Sequence, residues 1–225
     1  MPYIRSFITP AYILQSMPRK LISNNYLQKT WNYRGLNTFW QPERSTVGGI
    51  PEVAPSLFIP EQVFQFGRRR IQDVKDVLPA SAALHFFTDD YRLSSLWTEP
   101  RKSIKSLYHF PAVFAVDFTL SFDFPDPVNK WNHYRKMWLA AWWRSQELEV
   151  IPVANWLDSR SYHWCFEGMP RNSVIAVSLN EVGEIELPFF IEGFREMRRV
   201  LNPSQVLVIG GKKFSKFLDC PVLFY

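Results

Sequence analysis

Acidic side chains follow two apolar runs of the sequence, at the points where strands would end. Asp89 and Asp90 come after the run at 82–87, and Asp117 follows the run at 112–116. Neighbouring carboxylates repel one another unless a cation, a proton or an arginine lies among them. Mg²⁺ and Mn²⁺ take carboxylate oxygens and serve in phosphoryl transfer and nucleic-acid hydrolysis. Our hypothesis is a Mg²⁺ or Mn²⁺ site made by these three carboxylates, with no cofactor as the alternative.

Polar residues also follow the next two apolar runs. We call the edge of the sheet at the carboxyl ends of its strands the rim. If the rim is a catalytic site, Asn155 or Asp158 orients water or substrate beside the three carboxylates. These five residues are then the candidate catalytic residues. The candidate substrate-binding residues are Arg92, Trp156, Ser178 and Asn180. Parallel sheets place their ligand sites at the carboxyl ends of their strands, which is why we group these residues.

The same residue types have a purely structural use. Asp, Asn and Ser after a strand commonly accept hydrogen bonds from the first backbone amides of the following helix. Thr88, Asp89 and Asp158 fit that role directly. The alternative to a shared site is therefore a set of helix caps, and the sequence leaves both open.

Several well-known catalytic motifs are absent. There is no P-loop, no GxGxxG, no GxSxG elbow and no HExxH. Gly210-Gly211-Lys212-Lys213 and Arg68-Arg69-Arg70 could each contact an anion, but exposed loops are the simpler interpretation of both. The motifs therefore indicate no specific reaction.

Six short apolar runs define the predicted sheet. They lie at 82–87, 112–116, 150–154, 173–177, 205–209 and 221–225. Their residues are apolar almost without interruption, as in strands buried on both faces of a parallel sheet. Helical segments separate them, including one over 189–200. We predict an α/β fold with a mainly parallel sheet of five to six strands, either an open doubly wound sheet or a partial or small βα barrel.

The clearest predicted helix begins at Asp126-Pro127, where a capping residue precedes a proline. Apolar residues recur along it at three- and four-residue spacing, namely Val128, Trp131, Tyr134, Trp138, Ala141 and Trp142. This pattern predicts one apolar face.

The first sixty residues differ from the rest in composition. Seven prolines interrupt them, and residues 1–42 hold five Lys/Arg and no Asp/Glu. Their aromatic residues are typical of a segment that packs rather than of a disordered tail. We predict a basic, irregular N-terminal arm over 1–60 packed on an α/β core domain over 61–225. The charge is consistent with a nucleic-acid partner, with a protein partner or self-association through the arm, or with a solvated arm.

The cysteines and the hydropathy pattern indicate the cellular compartment of the protein. The two cysteines form no CxxC pair and no Cys/His cluster with zinc spacing. No run of eighteen apolar residues occurs, and the N-terminus lacks the apolar core of a secretory signal. We expect a cytoplasmic protein with reduced thiols and no membrane contact.

A series of short motifs resembles a known family. In order they are Gly49–Glu52, His85–Arg92, Val116–Thr119, Trp131–Arg135, Ile151–Trp156, Cys165–Pro170 and Val174–Ser178. From about residue 48 onward, the sequence resembles domain-of-unknown-function family 4417 of bacteria, phages and mobile elements. Where the family has Gly-Asp after the tryptophan, this sequence has Leu157-Asp158. The resemblance implies a phage or mobile-element protein and a shared feature of Asp89, Asp90, Asp117 and Trp156, but no activity.

Three functions fit these observations, and whether the chain is an enzyme stays open. The leading hypothesis is a nucleic-acid-associated protein with a metal-dependent phosphodiesterase site. The alternatives are a non-catalytic binding or assembly module acting through the arm, and a small-molecule enzyme using the same strand ends. A deep, closed pocket would favour the small-molecule enzyme, and an open groove would favour the nuclease.

Overall fold

Strands and helices alternate along the computed structural model, which describes residues 35–67, 78–180 and 182–225. The strands are β1 (Gln62–Gln65), β2 (Ala82–His85), β3 (Ala112–Phe114), β4 (Glu149–Ile151), β5 (Val174–Ser178), β6 (Gln205–Ile209) and β7 (Val222–Phe224). The helices are α1 (Asp90–Thr98), α2 (Pro100–Leu107), α3 (Asp126–Ser145), α4 (Leu187–Leu201) and a 3₁₀ helix (Lys212–Phe217). This alternation confirms the predicted α/β class. Much of the predicted arm, residues 1–34, lies outside the described residues, while 42–60 belong to the same compact unit as the strands.

The strands lie side by side in chain order, and every pairing is parallel. β1 to β4 form one ladder and β5 to β7 another. Backbone bonds join the two ladders: the amide of Ala176 donates to the oxygen of Pro152 at 2.8 Å, and the amide of Ala154 donates to the oxygen of Ala176 at 2.9 Å. A doubly wound sheet reverses its strand order at a switch point, so this order excludes it. Right-handed crossovers between successive neighbours place the helices on one face, as in a βα barrel.

The two outer strands are less buried than the strands between them. β1 and β7 are largely half-buried, whereas β2 and β3 are buried throughout. The hydroxyl of Tyr225, just after β7, donates to the carbonyl oxygen of Pro60, just before β1. Over the described residues no ladder pairs β1 with β7. The arrangement is therefore a partial barrel whose outer strands approach each other at one point.

Three details differ from the sequence-based prediction. β1 was not predicted, because a half-buried outer strand needs only two apolar residues among its four, Gln62-Val63-Phe64-Gln65. β4 ends at Ile151, because Pro152 has no amide hydrogen to continue the ladder. The helical segment predicted between the runs at 150–154 and 173–177 is, over 160–167, a series of turns, since most of its backbone hydrogen bonds join residues three apart.

Helix α3 is buried on two sides. The predicted apolar face packs on Trp97 of α1, whose ring centroid lies 5.4 Å from that of Trp131 and 5.6 Å from that of Trp138. The opposite side is polar and also buried; its members are Asn129, Asn132, His133 and Lys136. The prediction of a single face was therefore incomplete. Within the described part of the chain, no helix is both long enough and apolar enough to cross a bilayer.

Gly193 of α4 leaves room for the indole of Trp156. A Cβ at this position would lie 2.1 Å from Nε1 of the indole, which also packs on Phe190 at a centroid distance of 5.1 Å. We expect Gly193→Ala to lower the unfolding free energy by roughly 1–3 kcal/mol, because overpacking outweighs the higher helix propensity of alanine. Urea denaturation measures the change. Glu192→Ala, an exposed change in the same helix, should stay within about 0.5 kcal/mol of wild type. A Gly193→Ala variant as stable as wild type would show that the indole moves aside at no cost.

Candidate functional site

The loop that follows β3 is tied to two helices. Oδ1 of Asp90, in α1, accepts hydrogen bonds from the amide and the hydroxyl of Thr119 at 3.0 and 2.9 Å. From α3, Nδ2 of Asn132 donates to the carbonyl oxygen of Thr119 at 2.7 Å. Asn129 exchanges two bonds of 3.0 Å with the backbone of Ser121. The loop is therefore held in one position at the carboxyl end of β3.

A buried lysine lies beneath this loop. Lys136 of α3 is 1% exposed, and its Nζ donates to Oδ1 of Asn155, which follows β4. Nδ2 of Asn155 donates to Oδ1 of Asp117 at 2.7 Å and to the carbonyl oxygen of Phe118 at 3.2 Å. Asp117 and Asn155 are both half-buried. A chain of hydrogen bonds thus leads from a buried ammonium to groups that solvent can reach.

Burial sets the charge balance of Lys136. Burial lowers the pKa of the ammonium to about 8. Electrostatic attraction to Asp117 and Cys165 acts in the opposite direction and raises this pKa. The lysine is therefore still mainly a cation at neutral pH. Transfer of a cation out of water costs several kcal/mol, and good hydrogen bonds and an opposite charge are needed to offset that cost. The carbonyl of Asn155 and the carboxylate of Asp117 supply them.

Arg135 is a second, half-buried cation beside the same loop. Its guanidinium carbon lies 4.0 Å from the ring centroid of Phe118, and Nη2 donates to Oδ1 of Asn132. Burial lowers the pKa of Arg135, and the nearby charge of Asp90 raises it. The arginine therefore links the residue after Asp117 to the helix that carries Lys136.

Cys165 is close to Lys136 but is not activated. The side chain is buried, and burial raises the pKa of its thiol to about 12. Oγ of Ser161 lies 3.9 Å from the sulfur and donates to the carbonyl oxygen of Asp158 at 2.7 Å. Because the thiolate is the nucleophilic form, a thiol with this pKa is inert at neutral pH.

His133 stays neutral next to Lys136. Burial and the lysine charge lower the pKa of its imidazole to about 3. Nε2 donates to the carbonyl oxygen of Glu167 at 3.0 Å, since a carbonyl can only accept. Nδ1 is buried and has no hydrogen-bond partner among the described residues. The histidine therefore adds a neutral acceptor, and no charge, to this polar side of α3.

The structure brings together three of the five predicted catalytic residues. Asp117 and Asn155 are directly bonded, and Asp90 holds the same loop. The other two lie in contacts of their own. Asp89 is 3.5 Å from Arg92 and, although it precedes α1, makes no capping hydrogen bond. Asp158 accepts from the amide of Arg160 at 3.0 Å and from its Nε at 2.9 Å, which closes a local turn and caps no helix.

The predicted substrate-binding residues are spread over several contacts. Arg92 lies beside the ring of Tyr91, and Trp156 packs against α4. Oγ of Ser178 accepts from the amide of Asn180 at 3.2 Å. Oδ1 of Asn180 occupies the space where a Cβ of Gly210 would lie, 1.9 Å from that position. These four residues are not joined in one hydrogen-bond network with Asp117 in the bonds that the structure describes.

The structure offers no ready-made metal site among the described residues. No group of three or more His, Cys, Asp or Glu side chains there is placed to hold an ion. The partners differ for each carboxylate: Arg92 for Asp89, Thr119 for Asp90 and Asn155 for Asp117. A Mg²⁺ or Mn²⁺ site made by these three stays a prediction.

The sequence analysis missed the polar side of α3. Asn129, Asn132, His133 and Lys136 lie at positions i, i+3, i+4 and i+7, which is a stripe at helical spacing. The pattern was visible, but a polar stripe opposite an apolar one is typical of a solvent-exposed face. Only the packing of α3 against the ends of β3 and β4 shows that this face is buried.

Comparison with known proteins gives one family and two relatives. The profile of a family described as Domain of unknown function (DUF4417) matches residues 42–224. The Gene 1 protein of Mycobacterium phage L5 is 30% identical over 181 residues, which are 80% of this chain and 78% of the relative. The Gene 1 protein of Mycobacterium phage D29 is 29% identical over 174 residues, 76% of this chain but only 64% of the relative. No solved structure matches the chain.

Proposed function

The chain belongs to the DUF4417 family, and from that starting point we propose that it is an enzyme acting on a small polar molecule at the carboxyl ends of β3 and β4. In this proposal Asp117 exchanges a proton with the substrate, Lys136 supplies the opposite charge and Asn155 holds the two in place. The proposal deepens the small-molecule alternative of the sequence analysis.

The observation that carries the proposal is the burial of Lys136. Replacement of a buried ion pair by apolar side chains is often neutral or stabilising, so a lysine with 1% exposure is a poor choice for stability alone. A buried charge beside a carboxylate that solvent can reach is instead typical of active sites, where such pairs set protonation states. Carboxyl ends of parallel strands are also where βα barrels carry their sites.

In this proposal each of the three side chains has its own role. The carboxylate of Asp117 takes a proton from the substrate and becomes a carboxylic acid, while the substrate keeps the bonding electrons and becomes an anion. Asp117 and the substrate together stay negative before and after this transfer, and the ammonium of Lys136, joined to Asp117 through Asn155, offsets that charge. Asn155 cannot pass the proton along, since its amide is not acidic, but it fixes Oδ1 of Asp117 at 2.7 Å.

Charge at the rim favours a small substrate over a polymer of phosphates. The segments 121–126 and 182–192 follow β3 and β5, and together they carry five Asp/Glu and no Lys/Arg. A nucleic-acid backbone needs basic side chains to neutralise its phosphates. The two acidic segments would repel such a backbone, unlike Lys212 and Lys213 after β6.

A metal-dependent phosphodiesterase is the second candidate. It is favoured by the attachment of Asp90 to the loop that begins at Asp117, which places two carboxylates at one strand end. The two relatives are phage proteins. In this second proposal Mg²⁺ or Mn²⁺ binds between these carboxylates.

Ligand-dependent melting tests both candidates. We expect at least one class in a panel of sugar phosphates, nucleotides, amino acids and small carboxylic acids to raise the Tm of the wild type by several degrees. A ligand at about a hundred times its Kd adds roughly 2.7 kcal/mol to the folded state. Asp117→Asn keeps the shape but not the charge, and it should lose the shift. Asp123→Asn, an exposed change on the same loop, should retain it.

The same experiment distinguishes the two candidates. No shift with any compound, or an equal shift in Asp117→Asn, would contradict the small-molecule proposal. A rise in Tm with millimolar Mg²⁺ or Mn²⁺ that is absent in Asp117→Asn would instead support the phosphodiesterase.

A further inference from the structure

Large apolar side chains are exposed on two segments at the carboxyl ends of the strands. They are Phe122 (58% exposed), Phe124 (38%), Ile185 (82%) and Phe189 (47%). The rings of Phe122 and Phe189 lie 6.1 Å apart between centroids, so the loop after β3 and the start of α4 are in contact. We call the surface formed by these four side chains the aromatic patch. Exposed patches of this kind usually mark a site of interaction.

Exposed carboxylates surround the aromatic patch. Asp123 and Asp126 alternate with the rings on one segment, and Glu184, Glu186 and Glu192 flank the rings on the other. Neither 121–126 nor 182–192 contains a Lys or an Arg. The patch therefore presents apolar surface on two segments that also carry five exposed carboxylates, which we call the charge ring.

The aromatic patch adjoins a small pocket. Phe122 and Phe124 share this pocket with Asn129, Asp158, Arg160 and Trp164. Of these, Arg160 is paired with Asp158 at 2.8 Å, so its charge is largely offset. A bound side chain can therefore extend from the apolar surface into a polar recess.

We propose that the aromatic patch binds a basic segment of a partner protein, one that carries apolar side chains on one face and Lys or Arg around them. The apolar side chains would cover the four exposed residues, and the basic ones would meet the carboxylates. A nucleic acid or an anionic lipid surface would bring further negative charge to this ring and is not the occupant. This inference is independent of the proposed reaction at Asp117.

The charge ring predicts how such binding depends on salt. Attraction between exposed charges is screened over about 10 Å at 0.1 M ionic strength and over about 3 Å at 1 M. Binding should therefore weaken as salt is added, mainly through a slower association rate. Apolar contacts with the rings do not weaken with salt, so some binding should remain.

The test uses two synthetic peptides and the full chain. The probe is a labelled amphipathic helix of leucine and lysine, and its match carries glutamate at every lysine position. Fluorescence anisotropy measures Kd for the wild type, for Phe122→Ser/Phe189→Ser and for Asp123→Asn/Glu184→Gln/Glu192→Gln. The control is Phe217→Ser, which removes a ring of similar exposure, 41%, from the 3₁₀ helix. Melting curves establish that each variant is folded.

We expect the lysine peptide to bind the wild type and the Phe217→Ser variant equally. Both patch variants should bind at least about fivefold more weakly, the loss that marks an energetically important interface residue. The glutamate peptide should not bind. The proposal is overturned if the wild type does not bind the lysine peptide, if the patch variants bind as the wild type does, or if both peptides bind alike. A self-association that Phe122→Ser abolishes would assign the patch to a second copy and would also overturn it.

Discussion

An Asn155→Leu variant should unfold with about 3–5 kcal/mol less free energy than the wild type at pH 7. Leucine has the same branched arrangement of side-chain heavy atoms as asparagine, but it offers no oxygen to the ammonium of Lys136 and no donor to Asp117. The lysine would then be a buried cation that has lost its hydrogen-bond acceptor. Urea denaturation, followed by fluorescence, measures the loss.

A double variant shows whether the loss comes from the charge. In Lys136→Met/Asn155→Leu no cation remains buried, so most of the lost free energy should return. The coupling energy of the cycle should be at the upper end of the usual range for residues in contact, about 3 kcal/mol. If the double variant is as unstable as Asn155→Leu alone, the defect lies in packing, and the charge is not its cause.

The second large effect is a pH-dependent change in the unfolding free energy that is caused by the ionisation of Lys136. The pKa of this lysine is about 8 in the folded chain and 10.5 in the unfolded one. Below pH 8 both states hold the proton, and the cost of the buried charge is present in full. Between these two values the unfolded chain holds a proton that the folded chain has lost, so the stability of the wild type rises with pH relative to Lys136→Met. The total change is on the order of 3 kcal/mol.

Paired denaturation curves of the wild type and Lys136→Met, from pH 7 to pH 10, test this. The ionisation of tyrosines and cysteines affects both proteins, so it cancels in the difference between them. We expect Lys136→Met to be at least as stable as the wild type at pH 7 and to lose that advantage as the pH rises. A difference that stays constant across this range would mean that Lys136 keeps its proton, or that it is not charged when buried.

The sequence was sufficient for the α/β class and for β2 to β7, because each of the six runs is mostly apolar and overlaps one of these strands. It could not decide between a doubly wound sheet and a barrel, since both have the same alternation of runs and helices. Strand order alone decides, and that order depends on which strands pair. The outer strand β1 was missed because two apolar residues in four are too weak a pattern.

Only part of the candidate site could be predicted, because the rest depends on how a helix packs on the sheet. Asp117 and Asn155 could be placed at strand ends, and the ends of neighbouring parallel strands lie close together. Lys136 could not be found in this way, because it comes from the middle of a helix and its role depends on the side of α3 that faces the sheet. The sequence contained the polar stripe, but the direction in which the stripe points is a property of packing.

The order of the strands also bears on how the chain folds. Each strand pairs with the strand made just before it, so the sheet can grow by addition at one edge while the chain is being synthesised from its N-terminus. Pairing between sequence neighbours keeps the loops to be closed shorter than pairing with more distant strands would. The bond from Tyr225 to Pro60 is different, because it joins residues 165 apart and needs both ends of the sheet in place. Growth of the sheet along the chain and a late contact between its two edges are therefore the expected order of events.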